Sequence, residues 1–232
     1  LATAAGKCIR FPVKSLRVFA GRNSDGVRGI RLQDNDRVIS MTMLEHSAFD
    51  ADERAVYLKS DRDEENTPDE IDVALEEPDM ETTNITTENT LLAEDSLSPK
   101  LQEMAQHEQL LLAVTERGYG KRTSSYAYRL TGRGGVGIAN IETSERNGEV
   151  VATFPVDKSD HIMLVTNRGQ VIRCPVHDIR VSGRRTQGVK LFDVAGDEKV
   201  VSVTRISDDD QDQSDENVEF ESADTESSTD KE

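Results

Sequence analysis

The sequence predicts an all-β protein made of three propeller-like blades, each with about four antiparallel strands. Three observations support this prediction. A glycine and arginine pattern occurs three times, β-branched runs alternate with turn residues, and the repeat length is roughly 40–50 residues. A single blade of this size cannot bury its apolar faces alone, so neighbouring blades must stack. The 232 residues are enough for one to two domains.

The repeat is defined by equivalent glycines at Gly6, Gly118 and Gly169. An arginine follows each glycine by four residues, and a Val or Leu follows it by twelve. A Gly-Arg pair and a further glycine before a β-branched residue complete the pattern. The matching residues are Arg10, Arg122 and Arg173; Val18, Leu130 and Val181; Gly21–Arg22, Gly132–Arg133 and Gly183–Arg184; and Gly26, Gly137 and Gly188.

These matches divide the chain into five segments. Blades are predicted at residues 1–46 (repeat 1), 110–160 (repeat 2) and 161–206 (repeat 3), with an insertion at 47–109 and a tail at 207–232. The runs IMLVT, QVIRCPV and KVVSVTRI are rich in β-branched residues and predict strands. Glu116-Arg117-Gly118 and Asn167-Arg168-Gly169 predict tight hairpin turns.

The insertion and the tail differ from the repeats in charge. The repeats carry net charges of +4, +1 and +4, the insertion −15 and the tail −11, within a total of −17. The total alone would argue against a nucleic-acid partner, whereas the repeats taken separately do not. Residues 50–60 and the segment that opens at Ser98-Pro99 predict short helices. Residues 61–97 and the tail are acidic and poor in large apolar residues, so we expect disorder there.

Catalytic and metal-binding patterns are not found in the sequence, so no catalytic residue and no metal ligand is predicted. The four histidines are scattered, at His46, His107, His161 and His177. Tyr119, Tyr126 and Tyr128 have no general-base partner in sequence, and packing or DNA-edge roles are expected for them. Cys8 and Cys174 cannot form a disulfide framework, which favours a reducing, cytosolic compartment. No apolar run is long enough to cross a membrane.

The segment GRGGVG superficially resembles a phosphate-binding loop. It lacks the Lys-Ser/Thr and the helix that a nucleotide-binding loop requires, and Ile138 continues it as a strand. A turn that offers backbone amides and Arg133 to a phosphate backbone fits better. The predicted box-like turn comprises Gly132, Arg133, Gly134, Gly135 and Gly137.

The repeats resemble the C-terminal domain of the DNA gyrase A subunit. The resemblance is carried by GKCIRFPVKSLRVFAGRNSDGVRGIRL, ERGYGKRTSSYAYRLTGRGGVGI and HIMLVTNRGQVIRCPVHDIRVSGRRTQGVKL. It implies a β-pinwheel, a six-bladed relative of the propeller, of which three blades are present here. The missing initiator Met supports the interpretation that residue 1 is a cut inside a longer protein. The family's QRRGGKG-like box is absent, and GRGGVG is a degenerate form of it with Val136 in place of Lys.

The resemblance also implies a function. Duplex DNA would wrap around a basic rim and support ATP-dependent negative supercoiling by the holoenzyme, without catalysis by this chain. The catalytic tyrosine, ATP and Mg would belong to other parts of the assembly. Besides double-stranded DNA, the expected partners are the rest of the gyrase A polypeptide and the gyrase B subunit, in an A2B2 assembly. The expected location is the bacterial cytoplasm, in association with the nucleoid.

Candidate DNA-contacting residues are the basic side chains that belong to the repeats. Phosphate contacts that release counterions offset the cost of bending DNA. The candidates are Lys7, Arg10, Arg17, Arg22, Arg28, Arg31, Lys121, Arg122, Arg129, Arg133, Arg173, Arg180, Arg184, Arg185 and Lys190. Three alternatives stay open: a topoisomerase IV C-terminal domain, a propeller-type protein-interaction module and an enzyme in its own right. A steep salt dependence of DNA binding would favour the wrapping module.

Overall fold

A computed structural model describes residues 1–64 and 99–207, with side chains described outside 61–64. It contains three antiparallel sheets. The strands are β1 (Ala2–Thr3), β2 (Lys7–Cys8), β3 (Val38–Ser40), β4 (Leu110–Thr115), β5 (Tyr119–Ser124), β6 (Ile138–Ala139), β7 (Val150–Val156), β8 (His161–Thr166), β9 (Val171–Pro175), β10 (Val189–Lys190) and β11 (Val200–Ile206). The predicted all-β, propeller-like fold is therefore confirmed.

The sheets do not follow the repeats one to one. The strand orders are β3-β1-β2-β6, β10-β5-β4-β7 and β11-β8-β9. Strand β6 of repeat 2 thus completes the sheet of repeat 1, and β10 of repeat 3 completes the sheet of repeat 2. Two sheets have the predicted four strands, but each draws its fourth strand from the following repeat rather than from one contiguous segment. Each repeat supplies three strands to its own sheet, and repeats 2 and 3 each lend a fourth to the repeat before.

The sheet of repeat 2 lies between the other two. All six residues of β4 are buried. Leu110, Leu112 and Val114 face repeat 3 in one apolar cluster, whereas Leu111 and Ala113 belong to clusters on the side of repeat 1. Because side chains alternate along a strand, a sheet covered on both faces needs a continuous apolar run, which LLLAV provides.

The sheet of repeat 3 is covered on one face only within the described residues. Ile162, Leu164 and Thr166 of β8 are buried, while the intervening His161, Met163 and Val165 are half-buried. The hairpin turn before β5 is as predicted, with Gly118 at a φ of +76° and its N–H donating to the Thr115 carbonyl at 3.1 Å. Positive φ is the conformation that glycine accepts readily.

Two helices form the ordered ends of the insertion, α1 (Ala51–Glu64) and α2 (Pro99–Gln106). Asp50 and Glu53 form a reciprocal capping box at the start of α1. Both helices pack on repeat 2, where Tyr126 contacts Tyr57 edge-on and donates its hydroxyl to the Met104 carbonyl at 2.9 Å. Helix α1 continues four residues into the segment that we expected to be disordered.

The disorder predicted for the remainder of 61–97, and for the tail from residue 208, lies outside the described residues. None of the helices in the described part of the chain is long and apolar enough to cross a membrane.

Candidate nucleic-acid interface

One arginine in each repeat occupies the same exposed position, eleven residues after the repeat-defining glycine. These residues are Arg17, Arg129 and Arg180. Arg129 and Arg180 adjoin isolated parallel bridges between successive repeats, Arg10 to Leu130 and Arg122 to Val181. In the described part of the chain, none of the three side chains pairs with a carboxylate. The fold therefore presents one available cation per repeat at the same register position, and in repeats 2 and 3 this position lies beside an inter-repeat bridge.

Further candidates from the sequence are also exposed. They are Arg22, Arg28, Arg31, Arg133, Arg173, Arg185 and Lys190, with Lys7 and Arg184 half-buried. Lys190 pairs with Asp193 at 2.6 Å, an interaction that reduces its availability. Arg17 stacks on Phe19, with the guanidinium carbon 5.3 Å from the ring centroid. A stacked guanidinium keeps its edge N–H groups free for an anion.

Two of the predicted rim arginines have a different role. Arg122 donates through Nε to the Ile179 carbonyl and through Nη2 to the His177 carbonyl at 3.3 Å. Arg10 donates in the same way to the Ser125 carbonyl at 2.9 Å. Each of these arginines thus holds the 3-10 turn of the next repeat, and burial lowers the pKa of Arg10. Arg122 is buried and Arg10 is half-buried, so phosphate contact by either side chain would have to break these hydrogen bonds, and both are left out of the proposed DNA-contacting surface.

Lys121 is also left out of the proposed DNA-contacting surface, because its side chain has no exposed surface. Its Nζ donates to the carbonyls of Gly183 and Arg184, the latter at 2.8 Å, and to Thr186 Oγ1 at 3.2 Å. Burial, together with the nearby Arg184 guanidinium, lowers the pKa of Lys121 to about 7. Lys121 therefore joins repeat 2 to the glycine-rich turn of repeat 3.

The box-like turn of repeat 2 packs on repeat 1. The Gly134 N–H donates to the Gly29 carbonyl at 2.6 Å, and the Arg31 N–H donates to the Gly135 carbonyl at 2.8 Å. The Arg133 guanidinium donates hydrogen bonds to the carbonyls of Ser15 and Arg28, at 3.2 and 3.3 Å. The amide of Gly134 is thus committed within the protein and does not fit the predicted phosphate cradle. Arg133 is exposed but held in place.

Four basic residues outside the candidate set are held in ion pairs. Arg37 pairs with Glu149 at 2.8 Å, Lys199 with Glu116 at 2.9 Å, and Arg168 with Asp197. Arg205 pairs with Asp157 and with the buried Asp160, both at 2.7 Å. Ion pairing leaves these four side chains less available to an anion than most of the exposed candidates.

The residues with catalytic potential are packed rather than gathered into a site. Burial raises the pKa of the Cys8 thiol to about 11 and also raises that of the Tyr128 hydroxyl, which donates to Asn140 Oδ1 at 2.7 Å. Tyr119 lies beneath the Arg146 guanidinium. Among the described residues, no group of three or more His, Cys, Asp and Glu side chains could hold a metal ion.

Comparison with known proteins gives the family. The model of the DNA gyrase C-terminal domain, described as a β-propeller, matches residues 1–44, 109–157 and 160–207. The chain is 45% identical over 210 residues to the DNA gyrase A protein of Granulibacter bethesdensis, covering 88% of this chain and 22% of that protein. The chain thus spans about a fifth of the length of the curated relatives it matches.

Solved structures agree on the fold. A DNA gyrase A C-terminal domain superposes with a TM-score of 0.57 at 18% identity, covering 88% of this chain and 48% of that one. A topoisomerase IV C-terminal domain superposes with the same TM-score at 17% identity, covering 89% and 45%. The fold alone does not separate these two classes, and the family is given by the family model and by the identity to gyrase A proteins. With its three repeats matched by the family model, the chain belongs to the DNA gyrase A C-terminal domain family.

Proposed function

We propose that this chain binds and wraps duplex DNA, and that it supports ATP-dependent negative supercoiling within a gyrase holoenzyme. The observation that carries the proposal is the exposed arginine at one repeated position, in Arg17, Arg129 and Arg180. Repetition matters because DNA presents phosphates at regular spacing along its backbone. Equivalent cations on successive blades can meet successive stretches of one bent duplex.

The physical argument concerns bending energy. Smooth bending of a 20–30 bp site by 40–90° costs on the order of 1–6 kcal/mol. Phosphate contacts that release counterions supply a favourable term that does not depend on base sequence. Arg22, Arg28, Arg31, Arg133 and Arg185 add further exposed cations to the three repeated arginines. Such a surface bends many sequences alike, as a wrapping module requires.

The remaining parts of the proposal rest on the family. Strand cleavage by a catalytic tyrosine, ATP and Mg would belong to other parts of the gyrase A and B subunits, joined as an A2B2 assembly. This chain would bend the DNA and would take no part in the cleavage reaction. The relatives come from bacteria, which supports a cytoplasmic, nucleoid-associated location.

The test is a triple substitution, Arg17→Gln, Arg129→Gln and Arg180→Gln, in the whole chain. Affinity for several unrelated duplexes is measured between low and moderate salt. Loss of three phosphate contacts should reduce the slope of log affinity against log salt by about 2 to 3 units. The matched control, Arg37→Gln, Arg168→Gln and Lys199→Gln, removes the same charge from ion-paired residues.

The control triple should keep most of the slope. An equal loss in both triples would mean that net charge alone matters, which would overturn the rim assignment. Weakening confined to one DNA sequence, or no weakening at all, would overturn it as well.

A further inference from the structure

One buried lysine lies beneath a turn that carries two of the candidate DNA-contacting arginines. The turn comprises residues 183–186, and we call it the repeat-3 turn. Lys121 of β5 has no exposed surface and reaches this turn from the neighbouring repeat. Its Nζ donates to the carbonyls of Gly183 and Arg184 and to Thr186 Oγ1, the last two at 2.8 and 3.2 Å. The lysine thus contacts three of the four residues of the turn.

The number of acceptors around Nζ matches the charged form of the lysine. An ammonium group has three N–H donors and no acceptor, and the repeat-3 turn offers three oxygen acceptors. A neutral amine has one N–H fewer, so it leaves one of the three oxygens without its donor. Protonation of Lys121 therefore completes the hydrogen bonds that hold the turn.

Only one of the two joints, meaning the contacts between successive repeats, contains this cation. The residue three positions after the repeat-defining glycine is Ile9 in repeat 1, Lys121 in repeat 2 and Ile172 in repeat 3. In the joint between repeats 1 and 2, a Cβ added at Gly135, the equivalent of Thr186, would lie 3.7 Å from Ile9 Cδ1. An isoleucine therefore packs at this position in one joint, so packing of the repeats alone does not account for a lysine in the other.

The charges around Lys121 make its protonation sensitive to a bound anion. Thr186 is exposed, so Nζ lies one residue beneath the surface of the turn. The charged or titratable groups that act on Nζ are Arg184 in the turn, Cys8 on β2 and Glu142 after β6. Burial and the Arg184 guanidinium lower the pKa of Lys121 to about 7. A phosphate over the turn would add negative charge beside the two cations and favour the protonated lysine.

We propose that Lys121 is a positioning residue for DNA binding, which holds the repeat-3 turn so that Arg185 meets a phosphate and takes up a proton from solvent when DNA binds. This role rests on the proposed DNA-binding function and adds a dependence on pH to it. Arg185 is exposed and makes no ion pair within the described ranges. Lys121 does not touch DNA itself but acts through the turn that it holds.

The direction of the pH effect follows from the two protonation states. Because the pKa of Lys121 in the free chain is about 7, the lysine is mostly charged below that pH and mostly neutral above it. Bound DNA raises this pKa, so the complex keeps the proton to a higher pH. DNA affinity therefore falls as pH rises through this window. An increase of about one pKa unit corresponds to a loss of up to about tenfold in affinity.

The first test measures proton uptake by the unmodified chain, so it does not depend on the folding of a variant. Titration calorimetry of the whole chain with a duplex is run at about pH 7.5 in Hepes and in Tris, which differ in ionisation enthalpy. A pKa raised by about one unit predicts uptake of roughly half a proton, seen as a difference in binding enthalpy between the buffers. Equal enthalpies would overturn the role of Lys121 and leave DNA binding in place. Absence of binding at every pH would overturn both.

The second test compares two variants. Lys121→Ile gives repeat 2 the residue that the other repeats have at this position, and Lys158→Ile is the control at an exposed lysine. Between about pH 6 and about pH 9 at constant low salt, the affinity of the wild type and of the control should fall by up to about tenfold. Lys121→Ile should lose this dependence together with the buffer-dependent enthalpy.

The pH profile separates the proposed role from a merely structural one. A structural defect in Lys121→Ile would lower DNA affinity by the same factor at every pH, so its profile would run parallel to that of the wild type. Such a parallel profile, or an equal loss of pH dependence in Lys158→Ile, would overturn the proposal.

Discussion

Lys121 places a titratable group inside the joint between repeats 2 and 3. Its pKa is lowered to about 7 by burial and by Arg184, against about 10.4 for a lysine in water. Between these two pH values the unfolded chain binds a proton that the native chain does not. The free energy of unfolding therefore rises with pH through this window, and the cost of the buried charge is fully present below pH 7.

We expect Lys121→Met to remove this pH dependence. The stability difference between wild type and variant should shift in favour of the wild type by up to about 1.4 kcal/mol per pH unit between pH 7 and 10. Urea unfolding at several pH values measures it. Lys158→Met makes the same chemical change at an exposed lysine and should leave the slope unaltered. A pH-independent difference for Lys121→Met would contradict the buried-charge account.

At the scale of elements, the strand arginine and the following 3-10 turn form one structural unit across each joint. Arg122 is 6% exposed and holds the carbonyls of Ile179 and His177. Arg173 has the same register but is exposed, without a following repeat in the described residues. The same residue type at one repeat position thus occurs in a buried and an open environment within one chain.

Arg122→Met should destabilise the chain by about 2–4 kcal/mol, because it leaves buried carbonyls without a donor. Arg173→Met should change stability by less than about 0.5 kcal/mol, as expected for a surface substitution. Urea unfolding at dilute concentration compares the two directly. Similar losses for both variants would show that the inter-repeat hydrogen bonds contribute little.

For the whole molecule, the sequence predicted more of the fold than of the surface. The glycine register located the hairpin turns and the three repeats, because positive φ at Gly118 and its equivalents is a local requirement. The exchange of β6 and β10 was not predictable from strand propensity, since it concerns which sheet a strand joins. Burial of Lys121 and Arg122 was missed for a related reason: both sit in a joint that only the stacked repeats create. The start of α1 is also visible in the sequence, because Asp50 and Glu53 have the three-residue spacing of a capping box.

Charge distribution over the whole chain leads to a further prediction. Residues 208–232 contain twelve acidic residues and one lysine, next to repeats of net positive charge. A tethered polyanion can compete with DNA at an effective concentration that reaches millimolar. Truncation after Ser207 should therefore tighten DNA binding, most strongly at low salt, where screening is weakest. Equal affinities of the full and truncated chains across salt would contradict this competition.

Strand exchange also sets an order for folding during synthesis. Strand β2 receives its outer neighbour from Ile138–Ala139, about 130 residues later in the chain, because the insertion intervenes. Strand β5 receives its outer neighbour from Val189–Lys190, only about 70 residues later in the chain. At about 5–20 residues per second, the first sheet leaves the ribosome with an open edge for roughly 6–26 s and the second for about half as long. The short, charged Lys7–Cys8 edge limits what a neighbouring nascent chain can pair with during that interval.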